Sequence, residues 1–357
     1  MLIPLNMSGN KYQAKLVEDI NEVEPKFKTR LNLFIGSHPE TSIFQSSSIL
    51  ALYRRTAAYR PFLFVITDQY GDICCTVIVL LQEESKRLLK AFTSRAIVWG
   101  GPLLAGRVEK DQHEICDFLL KSIHKYLGRK AIFCQFRNLF DLNMYRHVFK
   151  NNHYTYHEHL NYFVKTTDHE STRGNISKSK IRQIKKSVNN GARIIEPSSL
   201  EKVRNFYLIL KNFYHKKVRK PLPDWTFFKE FFLQSQEGRL GKYFLIEYQQ
   251  EIVGGIMCPI TPGKGIYEWY ICGRDGEFKG VYPSVLATWA AIDYALKNNL
   301  RFFDFMGAGA PDQDYGVREF KSKFGGELVA HGRYLRINRP WLYALGKFGI
   351  RLMGKLR

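Results

Sequence analysis

Several large classes are closed to this sequence by what it lacks. Its 357 residues hold six cysteines, at 74, 75, 116, 134, 258 and 272, without a Cys-x-x-Cys pair or regular spacing. That excludes a disulfide-stapled scaffold and a zinc ribbon. Uninterrupted apolar stretches such as the one within residues 73–81 fall far short of a membrane span, so any membrane contact is expected to be peripheral. The opening residues carry no basic segment followed by an adequate apolar run, which predicts a cytosolic protein. Neither an internal repeat nor a histidine cluster with carboxylates at ligand spacing is visible, and no metal or cofactor is expected. Acidic residues are scarce as well. Thirty-three face 54 basic ones, for a net charge of +21, and none follows Glu327. A field of that size suits nucleic acid, an anionic bilayer or a polyanionic small substrate, and charge alone does not choose among them.

Length and a content of 45% apolar and 14% aromatic residues suit two domains, each with its own core. Serines ahead of an apolar-periodic stretch predict a capped helix over 44–55. Two β-branched runs, 61–67 and 73–81, flank the turn Asp68–Asp72 and read as a hairpin. Residues 109–127 have amphipathic spacing, with Ile115, Phe118, Leu119 and Ile123 inward. A strand is expected at 131–136. The α/β pattern closes near residue 165, and the polar stretch 169–177 reads as a linker. A basic helix then runs over 177–188, with Ile181, Ile184 and Val188 as its apolar stripe and Lys178, Arg182 and Lys185 grouped beside it. Further helices are expected at 199–215, from Asp224, and at 283–298, and strands at 242–248, 252–259 and 266–272. The C-terminal segment 340–357 predicts an amphipathic helix. Trp341, Leu345, Phe348, Leu352 and Leu356 fall on one side of it and Lys347, Arg351 and Lys355 beside them, a pattern that suits an anionic membrane surface or docking on the protein itself.

The stretch Tyr315–Gly326 concentrates chemistry. Arg318, Glu319, Lys321 and Lys323 alternate with Phe320 and Phe324, and glycines punctuate both ends. The aromatics would anchor it inward while Lys321 and Lys323 face an anion. A competing reading, a basic surface hairpin with phenylalanines filling core, weighs equally on these residues alone. Ahead of it stand an apolar run, 301–306, and a glycine-rich loop, 307–311.

This order, Phe-Asp-Phe-Met-Gly-Ala-Gly and then Tyr-Gly-Val-Arg-Glu-Phe-Lys-Ser-Lys-Phe-Gly-Gly-Glu before a basic tail, resembles the C-terminal half of the FemABX peptidoglycan aminoacyltransferases. The resemblance implies an α/β (α+β) fold of two tandem GNAT-like acyltransferase domains, mixed sheets flanked by helices, here divided as 1–165 and 166–357. It implies aminoacyl-tRNA as donor and a peptidoglycan precursor, lipid II or UDP-MurNAc-peptide, as acceptor. The family's phenylalanine–lysine pair falls on Phe320 and Lys321, which makes Lys321 the expected cation for the oxyanion or the tRNA terminus. Asp304 is a candidate base, with capping of the following loop as its competing role. Arg54 or Arg55, after the helix opened by Phe44-Gln45-Ser46, is the expected contact for the acceptor diphosphate. Tyr270, Arg182, Arg318 and Lys323 complete the candidate substrate-binding set.

In acyl-CoA enzymes of the GNAT type a glycine-rich turn presents amides to the pyrophosphate. The matching stretch Asp275–Pro283 keeps Gly280, but Tyr282 stands where a small residue is expected and Pro283 lacks an N–H. That weakens the first rival function, an acyl-CoA-dependent N-acyltransferase acting on a sugar, a lipid or an antibiotic. The second rival is a non-catalytic protein that holds nucleic acid or anionic lipid.

Overall fold

The computed structural model describes residues 2–5, 11–83, 93–106, 109–218, 221–312 and 316–355. The chain divides into two units, one of residues 1–158 with 331–357 and one of residues 159–330.

In the first unit strands β1 (Leu2–Leu5) and β2 (Tyr12–Val17) lead to the hairpin β3 (Tyr59–Asp68) and β4 (Ile73–Gln82). Its turn closes as the sequence suggests. The Asp68 carboxylate accepts from the Tyr70 and Asp72 amides at 3.0 and 2.9 Å, and Gly71 takes a φ of +80°, open to glycine at no steric cost. The Ser46 hydroxyl accepts from Ile49 N and caps the helix Ser47–Arg54. Further strands are β5 (Arg95–Trp99), β6 (Leu103–Leu104), β7 (Phe133–Arg137) and β8 (Thr155–His157). The parallel partners β5 and β7 are joined through the helix Glu109–Leu127, whose Ile115, Phe118, Leu119 and Ile123 are buried in the core as expected.

The second unit has β9 (Asn161–Lys165), β10 (Arg193–Ile195), β11 (Gly241–Tyr248), β12 (Glu251–Thr261), β13 (Gly265–Tyr267), β14 (Tyr270–Gly273), β15 (Phe302–Asp304) and β16 (Glu327–Val329). The last strand, β17 (Arg333–Ile337), belongs to the first unit. The first sheet runs β1-β2-β3-β4-β5-β7-β17-β8 with β6 on β4, and the second runs β10-β11-β12-β13-β15-β9-β16 with β14 on β12. Among the described residues each is antiparallel apart from one parallel pair, β5 with β7 and β13 with β15. The connection ahead of β15 carries the helix Pro283–Lys297, buried around most of its girth against the second core.

The structure departs from the sequence reading in five places. Residues 166–357 do not form one domain. Strand β9 opens the second unit before residue 166, and β17 returns to the first, inserted between β7 and β8. Non-local pairing of this kind leaves no mark in local pattern. The expected linker 169–177 holds a helix, His169–Asn175, because the Asp168 carboxylate accepts from Ser171 N at 2.7 Å and starts it. The expected strand 266–272 breaks at Glu268 and Trp269, whose amides turn to Asp304 O and Met257 O. The helix expected from residue 199 starts after Ser199, whose hydroxyl accepts from Lys202 N. Finally, the basic helix Lys178–Asn189 is rotated about its axis relative to the expected stripe. Lys180 and Ser187 are buried, while Val188 is 52% exposed.

Candidate active site

The strand β15 ends in a carboxylate, and the loop beyond it needs backbone that few residues adopt. Met306, Gly307 and Gly309 take φ of +58°, +135° and +82°. Asp304 and Asn161 hold that turn. The Asp304 Oδ1 accepts from Met306 N and from Asn161 Nδ2, both at 2.6 Å, and Asn161 Oδ1 accepts from Gly307 N at 2.6 Å. A Cβ on Gly307 would lie 3.2 Å from His159 Nε2, so the imidazole lies against the loop.

Lys321 lies on the short helix Gly316–Ser322 and is 7% exposed. Its Nζ donates to Phe305 O at 2.7 Å and Gly307 O at 2.9 Å, and it pairs with Glu268 Oε1 at 2.9 Å. An ammonium has three N–H donors, and these three acceptors match them. Glu268 is thus paired with a buried cation whose charge also reaches the buried Asp304. Burial pushes the Glu268 carboxyl up, against the pull of Lys321. Burial raises Asp304 to about 6, against its bonds to Asn161 and Met306 and the Lys321 charge, with Glu268 adding to the rise. Among the described residues Asp304 Oδ2 and Glu268 Oε2 are buried without hydrogen-bond partners.

Two expectations are corrected here. Lys321 does not face outward toward an anion; its charge is spent on the loop 305–307 and Glu268. Asp304, fully buried, takes the competing role of capping the loop, so it is not exposed as a base. Arg318 likewise turns to the protein. Its guanidinium donates to Ala308 O at 3.0 Å, to Pro311 O at 3.3 Å and to Ala310 O, clamping the glycine-rich loop. Lys323 pairs with Glu319 at 2.7 Å. Phe320 and Phe324 anchor inward as expected, and the Lys180 Nζ lies 4.0 Å from the Phe320 ring centroid. Tyr270 is half-buried among the rings of Tyr214, Phe227, Phe228 and Trp269. In the first unit Arg54 pairs with Asp19 at 3.0 Å and donates to Glu18 O, while Arg55 is exposed at the end of its helix. Tyr315 lies outside the described residues.

The turn before the helix Pro283–Lys297 is filled by the protein's own oxygens. Ser284 N and its hydroxyl both donate to the Asp275 carboxylate, the amide at 3.2 Å. Tyr282 N donates to Ser187 Oγ at 3.0 Å, and Pro283 has no N–H. The space beside Gly280 is taken too, since a Cβ there would meet Asn190 Nδ2 and Lys186 Cε at 2.6 Å. A carboxylate at a helix N-terminus does what a bound phosphate would do. On the exposed face of the helix Lys178–Asn189, an open hollow of about 570 Å³ is lined by Lys178, Ile181, Arg182, Lys185, Lys186, Asn189 and Asn190. The four cations there make no ion pair among the described residues.

The FemAB family model matches residues 257–347, which include Glu268, Asp304 and the whole 315–326 stretch. Over that stretch the chain is similar to the FemAB family. Among solved structures it is similar to FemX, at 13% identity over 89% of this chain and 97% of that one, with a TM-score of 0.66. A tandem GNAT protein from the clavulanic acid biosynthesis pathway matches at 12% identity over 91% and 98%, with a TM-score of 0.56. The L-PGS from Bacillus licheniformis matches at 14% over 91% and 96%, with a TM-score of 0.53. No curated protein sequence matches. At such identities the structures speak to the fold alone, which is that of tandem GNAT-like domains.

Sequence reasoning missed Glu268, Asn161 and Lys180. Glu268 carried a signal, a lone carboxylate between Tyr267 and Trp269 in an apolar strand, and buried carboxylates are rare unless paired. Asn161 and Lys180 carried none that local pattern could resolve.

Proposed function

We propose that this protein moves an amino acid from aminoacyl-tRNA to the stem-peptide amine of a peptidoglycan precursor, the lipid-linked form in preference to the soluble nucleotide form. The observation that carries this reading is the closed turn at 275–284. With Asp275 on the helix N-terminus and Lys186 and Asn190 against Gly280, the Tyr282 and Ser284 amides are already bonded in the turn that holds a coenzyme pyrophosphate in acyl-CoA enzymes. The unpaired cations of the helix Lys178–Asn189 give a polyanionic donor an alternative support, through phosphate neutralisation.

The chemistry asks little of side chains. The acceptor amine attacks the ester carbonyl, a C–N bond forms, the bond to the ribose oxygen breaks, and the proton lost by the amine balances the one that oxygen gains. An ester is already activated, so no covalent intermediate on the protein is needed. In this reading Lys321, Asp304 and Arg318 order the 305–311 loop on which the reaction depends, and Arg55 remains the contact for the acceptor diphosphate. The helix Pro340–Lys355 supports the lipid-linked acceptor. It docks through Leu342 and Tyr343 and leaves Trp341 64% and Leu345 54% exposed beside Lys347. Among the described residues no helix is long and apolar enough to cross a membrane.

The test is to incubate the protein with a pool of charged tRNAs and, in separate reactions, lipid II, UDP-MurNAc-pentapeptide or phosphatidylglycerol, and to read product masses. An aminoacyl mass added to lipid II is expected. Transfer from acetyl-CoA, with none from charged tRNA, would overturn the reading. Transfer to phosphatidylglycerol alone would overturn the acceptor.

A further inference from the structure

The buried face of the basic helix holds a side chain that nothing above employs. Lys180 is 6% exposed, yet among the described residues its ammonium has neither a carboxylate nor a carbonyl as partner. Two aromatic faces hold it, Phe320 at 4.0 Å and Phe324 at 5.5 Å. The charged groups around it are Lys323 and Glu319 from the segment after the glycine loop and Asp275 from the turn before the helix Pro283–Lys297. Each carboxylate is committed elsewhere, Glu319 to Lys323 and Asp275 to Ser284. The first turn of its own helix has no acidic residue to offset the positive helix end. A buried cation left in this state costs free energy, and a ring face offsets only part of it. An anion arriving from solvent would offset the rest.

We propose that Lys180 is the centre of a phosphate-binding site, with the Phe320 and Phe324 rings holding the ammonium in place for a phosphate of the donor or of the acceptor. Lys180 thereby takes the role expected of Lys321, whose donors are spent, and the ring of Phe320 acquires a purpose as the platform beneath it. The choice of donor and acceptor rests on the function proposed above; the phosphate site itself does not, because it is read by binding without turnover. Burial and the Lys323 charge lower Lys180 to about 8, so affinity for phosphate should fall as pH rises from 7 to 9 and the ammonium is lost.

The experiment measures binding of two probes to the full chain between pH 7 and 9, a fluorescein-labelled RNA hairpin with a single-stranded 3′ tail and, by calorimetry, UDP. Lys180→Met is compared with Lys26→Met, an exposed lysine of the first unit that removes the same charge. Lys180→Met is expected to weaken at least one probe tenfold or more beyond Lys26→Met and to abolish the pH dependence. Its melting midpoint should stay level or rise, because an unpaired buried cation has been removed. Loss confined to RNA assigns the phosphate to the donor, loss confined to UDP assigns it to the acceptor, and loss of both makes it a general phosphate contact. Unchanged binding of both probes, or wild-type affinities that are flat from pH 7 to 9, would overturn the proposal. So would a midpoint lowered by several degrees with binding retained.

Discussion

Replacing Lys321 by methionine tests whether its charge is spent inside the fold. Methionine keeps most of the stem's volume and removes the ammonium, leaving Glu268 ionisable and buried and the carbonyls of Phe305 and Gly307 without their donor. Removing one member of a buried ion pair costs roughly 3–5 kcal/mol, because the surviving charge stays desolvated and unpaired. For a unit of this size each kcal/mol lowers the melting midpoint by about 2–4 °C, so a fall on the order of 10 °C is expected by calorimetry or circular dichroism. A second replacement, Glu268→Gln, should recover part of it, since no lone carboxylate remains, with a coupling of about 0.5–3 kcal/mol. A Lys321→Met midpoint within a degree of wild type would refute the reasoning and return Lys321 to the role of a free cation. The stability measurement has to come before any activity measurement. A lost product in this variant reports on the order of the 305–307 loop as much as on chemistry.

Asp304→Asn should act in the opposite direction. A carboxyl raised from 3.8 to about 6 in the folded state makes stability fall as pH climbs from about 4 to 6 and stay level above, a penalty of roughly 3 kcal/mol at pH 7. The amide keeps the acceptor for Met306 N, so the variant should melt higher at pH 7 and lose the part of the slope that Asp304 contributes, leaving the part that Glu268 contributes; an unchanged pH profile would sink this. Replacing both Trp341 and Leu345 by glutamate should abolish sedimentation with vesicles rich in phosphatidylglycerol while wild type stays free of phosphatidylcholine vesicles; undiminished sedimentation would remove the helix from the membrane.

The sequence was informative where a feature is local and silent where it is not. The hairpin at Asp68–Asp72 and the cap at Asp224 rest on side chains bonding amides a few residues away, and the structure has them where spacing put them, while the helix expected over 44–55 starts only at Ser47, capped by Ser46. On the basic helix the choice of face failed. Ile181, Ile184 and Val188 outrank a lysine in hydropathy, but one residue turns a helix by about 100°, and a lysine with an apolar stem can lie inward when aromatic rings meet its ammonium. That same misreading hid Lys180. The Lys321 site was half legible. Alternation of charge and aromatics marked the segment, whereas the partners that fix its meaning, Glu268 and two carbonyls, lie 53, 16 and 14 residues away in sequence.

The position of β17 bears on how the chain is made. During synthesis β7 and β8 emerge early but have no strand between them until residues 333–337 appear, after every residue of the second unit. The second unit can therefore finish its sheet while the first still waits with two unjoined edges, a template for wrong pairing. No single cut frees the first unit as one continuous fragment, and the protein is best regarded as one domain enclosed within the sequence of another.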